Sequence, residues 1–320
     1  MNGPAHVPVM PERVVALLTP ALADREAVLV DATLGLAGHA EALLAHHPQL
    51  QLVGFDRDAD ALARSRQRLT PYLERATLVH AAYDELPDVL ADLGYDHIDG
   101  ALFDLGVSSL QLDSGERGFA YSYDAALDMR MDPSQGHTAA DIVNTYSRDD
   151  LARILRQYGE ERFARRIASA IVRERDREAV VSTRQLSEIV QTAIPAATRR
   201  TGGHPAKRTF QALRIEVNAE LDALERALPE TVDSLAVHGR IVVLAYHSLE
   251  DRLVKRTFAA RSVDTTPREM PVPLPEHQPQ LRLLTRGAEQ PSAAEIDANP
   301  RAVSGRLRAA EKIREKGRAA

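Results

Sequence analysis

Short apolar runs alternate with helix-length polar segments through the first hundred residues of the chain. The apolar runs cover residues 27–33, 50–56, 76–83 and 98–106. Segments with helical periodicity separate them at about 38–46, 58–70 and 87–94. Alternation at this spacing is typical of a parallel sheet with helices on both faces. We therefore predict an α/β fold class for this part of the chain.

The pattern changes after Ser109. Residues 113–137 are rich in glycine, aromatic residues and methionine, which predicts a long loop. Helical periodicity then dominates, with Ser147 and then Ser182 or Thr183 as predicted N-caps and an amphipathic segment at 163–175. A longer helix is predicted from apolar residues on one face, namely Phe210, Leu213, Val217, Leu221, Leu224 and Leu228.

The strand pattern returns near the C-terminus. Residues 240–246 are predicted to form a strand and 248–261 a helix, and a late strand is predicted within 279–286. We predict that residues 113–208 form an all-helical domain inserted into one α/β domain. The α/β core then consists of residues 1–112 and 209–320, and the chain finishes in a basic C-terminal tail.

The composition narrows the class of protein. The 320 residues are 44% hydrophobic and 27% charged, which is typical of a globular chain. Cysteine is absent, which excludes disulfides, cysteine-ligated zinc, iron–sulfur clusters and a thiolate nucleophile. The N-terminal residues do not follow the pattern of a signal peptide, and no apolar stretch approaches the ~20 residues that cross a bilayer. We predict a cytoplasmic protein with no membrane partner.

The formal net charge of −6 hides a strong asymmetry along the chain. Residues 1–147 hold 9 basic and 22 acidic residues, whereas residues 148–216 hold 15 basic and 9 acidic ones. Residues 301–320 hold 7 basic and 2 acidic residues. An acidic body with two basic segments can bind a phosphate backbone locally. Arginine is also simply abundant, so charge alone leaves solvated helix faces as an equal alternative.

Polar side chains follow the predicted strands at the points where they end. A glycine-containing turn from Asp31 to His39 follows the first strand, and Asp56, Tyr83 and Asp104 end the next three. Ligands of open α/β sheets bind outside the carboxyl ends of the strands. We therefore predict a nucleoside-containing cofactor, with Asp56 accepting the ribose hydroxyls. The turn departs from G-x-G-x-x-G, which makes a nicotinamide dinucleotide the weaker interpretation.

Several longer segments resemble one known family, the bacterial 16S rRNA cytosine-N4 methyltransferases called MraW or RsmH. They include TLGLAGH (33–39), FDLGVSSLQLD (103–113), LDMRMD (127–132), TAADIVNTYS (138–147), YGEERFARRIASAIV (158–172), HPAKRTFQALRIEVNAEL (204–221), YHSLEDRLVKR (246–256) and NPRAVSGRLRAAEK (299–312). The resemblance covers nearly the whole chain.

The resemblance implies a Rossmann-like S-adenosylmethionine-dependent methyltransferase core with an inserted helical domain for RNA. It implies methylation of the N4 amine of a decoding-centre cytidine, position 1402 of 16S rRNA, and so a small ribosomal subunit as partner. Carried over by position, the cofactor contacts are Ala37, Gly38, His39, Asp56, Tyr83, Asp104 and Gln111. Ala37 stands where the family usually has glycine, which would strain a left-handed backbone there.

The chemistry of such a transfer is compatible with these residues. The exocyclic amine of cytosine is a poor nucleophile, so a site must orient it and accept its N–H bonds. Methylation at C5 ordinarily needs a cysteine, which this chain lacks. Asp104 is the first candidate for the acceptor, or for orienting the cofactor, and Ser108 can add hydrogen bonds. His247 is a candidate proton acceptor or phosphate contact; alternatively this segment is a helix start capped by Ser248 and Asp251.

Candidate RNA contacts are basic residues of the predicted insertion and tail. They are Arg162, Arg165, Arg166, Lys207, Arg208, Arg214, Arg306, Arg308 and Lys312. Phe119, Tyr121 and Tyr123 either stack on an extruded base or belong to a core, and the core role is slightly favoured. No metal site is predicted.

Other functions remain open at this point. One is an amine methyltransferase acting on a protein or a small molecule, and another is a non-catalytic RNA-binding ribosome assembly factor. A dehydrogenase that uses a nicotinamide cofactor is the weakest alternative. The sequence leaves the oligomeric state open, a homodimer included.

Overall fold

The computed structural model describes residues 8–108, 111–112, 115–195, 204–267, 269 and 274–315. The chain divides into two compact units. The first unit consists of Met1–Gly106 and Asp222–Ala320, and the second of Val107–Leu221.

The first unit is built on one sheet of seven described strands. They are β1 Ala27–Asp31, β2 Leu50–Asp56, β3 Ala76–His80, β4 Ile98–Asp104, β5 Leu235–Ala245, β6 Leu281–Leu283 and β7 Arg306–Lys312. Their order is β3-β2-β1-β4-β5-β7-β6. Strands β1 to β5 are parallel, whereas β7 runs antiparallel to both β5 and β6. The predicted α/β class and Rossmann-like core are confirmed.

The described helices belong to both units. They are α1 Pro11–Leu22, α2 Gly38–His46, α3 Ala59–Arg68, α4 Leu86–Asp92, α5 Ala139–Thr145, α6 Arg148–Gln157, α7 Ala164–Arg175, α8 Thr183–Ala193, α9 Lys207–Asn218, α10 Glu220–Ser234, α11 Ser248–Arg261 and α12 Ala293–Ala298. The second unit contains α5 to α9.

Apolar side chains cover both faces of the sheet in the first unit. Because successive residues of a strand point to opposite faces, Phe55 and Phe103 belong to one buried cluster, and Leu52 and Leu102 to the other. A parallel strand buried on both faces reads as a continuous apolar run, which is why the sequence signal was clear here. The two clusters pack against the strands whose ends carry the candidate site.

The boundaries of the second unit differ from the predicted insertion of 113–208, because this unit extends from Val107 to Leu221. The reason is the packing of α9, which was assigned to the core domain. Phe210 and Leu213 of α9 lie in the same buried cluster as Ile167 and Ile171 of α7.

The single long helix predicted around residues 210–228 is wrong. It is interrupted at Ala219, whose φ of +48° is left-handed, so α9 and α10 are separate. Asn218 accounts for the interruption: its side-chain amide donates 2.8 Å to the carbonyl of Met129 and accepts 2.8 Å from the amide of Met131. These tertiary bonds hold the end of α9 at this residue.

The basic C-terminal tail was predicted in a segment of which residues 306–312 form β7, and residues 316–320 lie outside the described residues. Leu307 and Ala309 are buried between charged residues, and the charged residues have partners. Arg308 donates 2.7 Å to Asp251, and the buried Lys312 donates 3.0 Å to the carbonyl of Asp233. Because the strand contains several charged residues, a prediction based on runs of apolar residues did not identify it.

Within the described residues no helix is long and apolar enough to cross a membrane.

Candidate cofactor and catalytic site

Three aspartates lie at the carboxyl ends of adjacent parallel strands. Asp31 ends β1, Asp56 ends β2 and Asp104 ends β4. The register pairs Asp31 with Gly54 on one side and Leu102 on the other, so the three strand ends share one edge. This is the edge at which open α/β sheets bind ligands.

The loop between β1 and α2 is held closely against the ends of β2 and β4. The amide of Gly35 donates 2.8 Å to Oδ2 of Asp56, and Oγ of the buried Ser65 donates 2.6 Å to the carbonyl of Gly35. The amide of Asp104 donates 2.6 Å to Oγ1 of Thr33. The loop is thus hydrogen-bonded to Asp56, Ser65 and Asp104.

The loop ends in a left-handed residue. Ala37 has a φ of +58°, a conformation that costs a residue with a β-carbon about 1–2 kcal/mol. The strain predicted for this alanine is therefore present. Helix α2 starts at Gly38 without a side-chain cap, so amides of its first turn face the loop without an intrahelical acceptor. Such amides suit the polar groups of a ligand.

Asp56 has acceptor capacity left for a ligand. Its Oδ2 accepts from Gly35 and its Oδ1 accepts 2.8 Å from the amide of Asp58. A carboxylate has about four lone-pair directions, so each oxygen can accept one more bond. Burial raises the pKa of Asp56 to about 6, against the lowering effect of the two amides. The geometry fits the two hydroxyls of a ribose.

Tyr246, which follows β5, is a candidate site residue that the sequence prediction did not include. Its hydroxyl donates 2.6 Å to Oδ1 of Asp104. Burial and the adjacent carboxylate raise the pKa of Tyr246 well above its ordinary value, so the phenol stays a donor. The position at a strand end was the available signal, because the same criterion selected Asp56 and Asp104. The prediction selected the next residue instead, because His247 was taken as the residue that ends the strand 240–246.

His39 and Asp31 complete the cluster around Asp104. Nε2 of His39 lies 3.5 Å from Oδ2 of Asp104. Both ring nitrogens of His39 are buried and have no hydrogen-bond partner among the residues that the structure describes. Burial raises the pKa of Asp31 to about 7, while the charge of His39 lowers it and those of Asp104 and Asp56 raise it. The carboxyl groups of Asp31 and Asp104 near this ring are compatible with a cationic ligand.

His247 is placed as the N-cap of α11. Its Nδ1 accepts 3.4 Å from the amide of Glu250, and Glu250 accepts in return from the amide of His247 at 3.2 Å. The capping pair is therefore His247 with Glu250, not Ser248 with Asp251 as the spacing suggested, because Asp251 pairs with Arg308. The role of His247 as a proton acceptor stays a prediction.

The remaining predicted site residues, Tyr83, Ser108 and Gln111, belong to different units. Tyr83 lies beyond the end of β3 at His80, in a 3-10 turn, and packs edge-on against Phe103 with ring centroids 5.6 Å apart. The predicted strand 76–83 was thus too long. Ser108 and Gln111 belong to the second unit, where the amide of Ser108 donates 3.0 Å to Oε1 of Gln111.

The predicted RNA-binding residues fall into two groups. Several are engaged within their own unit: Arg214 pairs with Glu220 at 2.8 Å, Arg208 donates to the carbonyl of Glu160, and Arg306 and Arg308 lie against Asp251. Arg162, Arg165, Arg166 and Lys207 are exposed. The buried Lys312 is not available to RNA.

The aromatic residues of the loop are mostly part of the second unit's core. Phe119 is buried, and Tyr121 stacks on His204 with ring centroids 4.3 Å apart and packs edge-on against Phe210. The core role that the sequence slightly favoured is confirmed for these two. Tyr123 is exposed.

Comparison with known proteins gives concordant matches. Residues 4–313 match the model of a family described as the MraW methylase family. A ribosomal RNA small subunit methyltransferase H from Thermobifida fusca is 66% identical over 313 residues, covering 98% of this chain and 95% of that protein. The protein of that name from Saccharopolyspora erythraea is 64% identical and covers 97% of this chain and 94% of its own. The one from Nocardioides sp. is 60% identical over the full length of both.

Among solved structures, a methyltransferase from Streptococcus mutans in complex with SAH covers 96% of this chain and 99% of its own length. Its identity is 13% and its TM-score 0.44, a likeness too low to support a conclusion.

Proposed function

Since this chain belongs to the MraW methylase family, we propose that it methylates the N4 amine of a decoding-centre cytidine in 16S rRNA. The chain is an rRNA methyltransferase, and its cofactor is S-adenosylmethionine. The observation that supports methylation of the cytidine amine is the Asp104 carboxylate, which accepts a hydrogen bond from Tyr246 at the ligand-binding edge of the sheet.

The residues of the edge fit the parts of this cofactor. Asp56 is suited to accept the ribose hydroxyls, and the first-turn amides from Gly38 onward suit its polar groups. The carboxyl groups of Asp31 and Asp104 supply negative charge at the same edge. When bound, S-adenosylmethionine supplies an electrophilic methyl group on a sulfonium centre.

Asp104 is suited to accept from the reacting amine. Its Oδ1 already accepts from Tyr246, which limits the rotation of the carboxylate, whereas Oδ2 lies 3.5 Å from Nε2 of His39. The transfer turns an NH2 group into an N-methyl NH group and releases one proton. A carboxylate oxygen that accepts an N–H bond favours the positive charge that develops on that nitrogen. We assign this role to Oδ2 of Asp104.

The test is the nucleoside composition of 16S rRNA from cells that lack the protein. Mass spectrometry is expected to show loss of N4-methylation at one cytidine, restored by the wild-type gene and not by Asp104→Asn. Full methylation in the deleted strain would contradict the proposal. Restoration by Asp104→Asn would contradict the role of Asp104 alone.

A further inference from the structure

A groove with a strongly basic lining lies between α6 and α7 of the second unit. Its volume is about 790 Å³. Four arginines line it, Arg148, Arg153 and Arg156 from α6 and Arg165 from α7, against the single carboxylate of Asp149. Three of these arginines are absent from the RNA contacts that the sequence predicted.

The helical pattern explains why the groove is open and charged. Leu151, Ile154 and Leu155 direct α6 into the buried cluster of the unit, which leaves its arginines on the outer face. Ala152 and Ser169 line the groove between the two helices, and their short side chains leave room there. A water molecule occupies about 30 Å³ of liquid, so the groove has space for much more than one small anion.

The guanidinium groups of the groove have few hydrogen bonds or ion pairs with the described residues. Arg156 and Arg165 are exposed, and neither side chain has a hydrogen bond or ion pair within the described part of the chain. Arg148 contacts Asp149 at 3.0 Å with both side chains more than half exposed, and Arg153 is 3.8 Å from Asp150. Exposed ion pairs contribute little, so an incoming anion can replace these contacts.

We propose that this groove binds the phosphate backbone of the rRNA substrate, which anchors the RNA apart from the reacting base. The inference rests on the proposed function for the identity of the anion. One guanidinium group can donate two parallel hydrogen bonds to the oxygens of one phosphate. Three arginines along α6 and one arginine on α7 are therefore suited to successive phosphates of an RNA strand. An elongated polyanion fits this lining better than a single phosphate ion does.

The test compares two double variants that remove the same charge. Arg156→Ala with Arg165→Ala removes the two uncommitted groups of the groove. Arg173→Ala with Arg177→Ala removes two exposed arginines that lie near Glu174, one in the last turn of α7 and one just after the helix. Alanine is a good helix former, so both variants are expected to keep the helical circular dichroism of the wild type.

Binding of the full-length protein to transcribed 16S rRNA is measured over a range of salt concentrations. The groove variant is expected to bind at least tenfold more weakly at low salt. Its plot of log affinity against log salt is expected to be shallower by about 1.4, which is the loss of two contacts to single-stranded phosphates. The control variant is expected to match the wild type. In methylation assays the groove variant is expected to raise KM and leave kcat unchanged.

Equal affinities and salt slopes for the groove variant and the wild type would overturn the inference. So would competition by polyglutamate that is as effective as competition by RNA of equal charge, since the groove would then be a general anion surface. Because binding is measured without methyl transfer, a wild-type protein that binds RNA through the groove but methylates none would refute only the proposed function.

Discussion

The hydroxyl of Tyr246 donates a 2.6 Å hydrogen bond to Oδ1 of Asp104, which connects the residue after β5 to the end of β4. The two residues are 142 positions apart in the chain, and the parallel pairing of β4 with β5 brings them together. The bond leaves Oδ2 of Asp104 as the oxygen that can meet a substrate.

Replacement of Tyr246 by phenylalanine removes this donor and keeps the ring. Hydrogen bonds to charged groups contribute about 1.5–3 kcal/mol, so kcat is expected to fall roughly tenfold or more. The dissociation constant of S-adenosylhomocysteine is expected to stay close to that of the wild type. Steady-state kinetics and calorimetry check this, and an unchanged kcat would show that Asp104 does not depend on Tyr246.

Cofactor affinity is expected to depend on pH through Asp56. Burial raises the pKa of this carboxyl to about 6, and the ionised form is the one that accepts two hydroxyls. Below pH 6 the Asp56 carboxyl must lose its proton before the cofactor binds. The affinity for the cofactor is therefore expected to fall about tenfold for each pH unit. Calorimetric titration from pH 5 to 8 measures the effect. Asp56→Asn should bind more weakly and show a flatter profile; an equally steep profile would assign the titration to another group.

Asp31 is expected to reduce the stability of the fold at neutral and alkaline pH. Its pKa is about 7 in the folded state because of burial, so folding favours the protonated form. The free energy of unfolding therefore falls as the pH rises from about 4 to about 7, by at most ~4 kcal/mol from this group.

Asp31→Asn is then expected to raise the melting temperature at pH 8 and have little effect at pH 4. The same variant should bind the cofactor more weakly, since it removes negative charge from the ligand-binding edge. Thermal unfolding at the two pH values checks the first expectation. A variant less stable than the wild type at pH 8 would mean that the ionised carboxylate stabilises the fold.

Arg308 is expected to stabilise β7 through Asp251. The pair is largely buried, and the guanidinium lowers the pKa of Asp251. A lowered carboxyl pKa contributes stability above the unfolded pKa near 4 and loses it as the pH falls further. Arg308→Ala leaves Asp251 with its weaker contact to Arg306 at 3.5 Å. We expect a loss of about 2–3 kcal/mol at pH 7 and a smaller loss at pH 3.

Urea unfolding measures this loss, and Arg306→Ala, whose side chain is more exposed, serves as the matched control with a loss below 1 kcal/mol. RNA affinity of the Arg308→Ala variant is expected to be unchanged. A stable Arg308→Ala variant with weaker RNA binding would restore the view of this segment as an RNA-binding element.

The sequence predicted correctly those helices whose ends are set by residues close to them in the chain. Helix α2 begins after the glycine turn at Gly38 and ends at His46, and α11 spans Ser248–Arg261, both as expected. Strand β7 was missed because Arg308, Glu311 and Lys312 are charged, and only their partners from distant segments make their burial tolerable. The break at Ala219 depends on bonds from Asn218 to the distant Met129–Met131 segment.

The same distinction applies to the candidate site. Asp31, Asp56 and Asp104 were predictable because each directly follows an apolar run. The bond between Tyr246 and Asp104 was not, since it depends on which strands are neighbours in the sheet and on the rotation of two side chains.

The most direct measurement is transfer of an isotopically labelled methyl group from S-adenosylmethionine to small-subunit RNA by the purified protein. Mass spectrometry of the digested RNA then locates the label. The account predicts label on N4 of a single decoding-centre cytidine, with transfer reduced at least ~10²-fold by Asp104→Asn. Label on a ring carbon, on another base or on protein, or an Asp104→Asn variant as fast as the wild type, would contradict it.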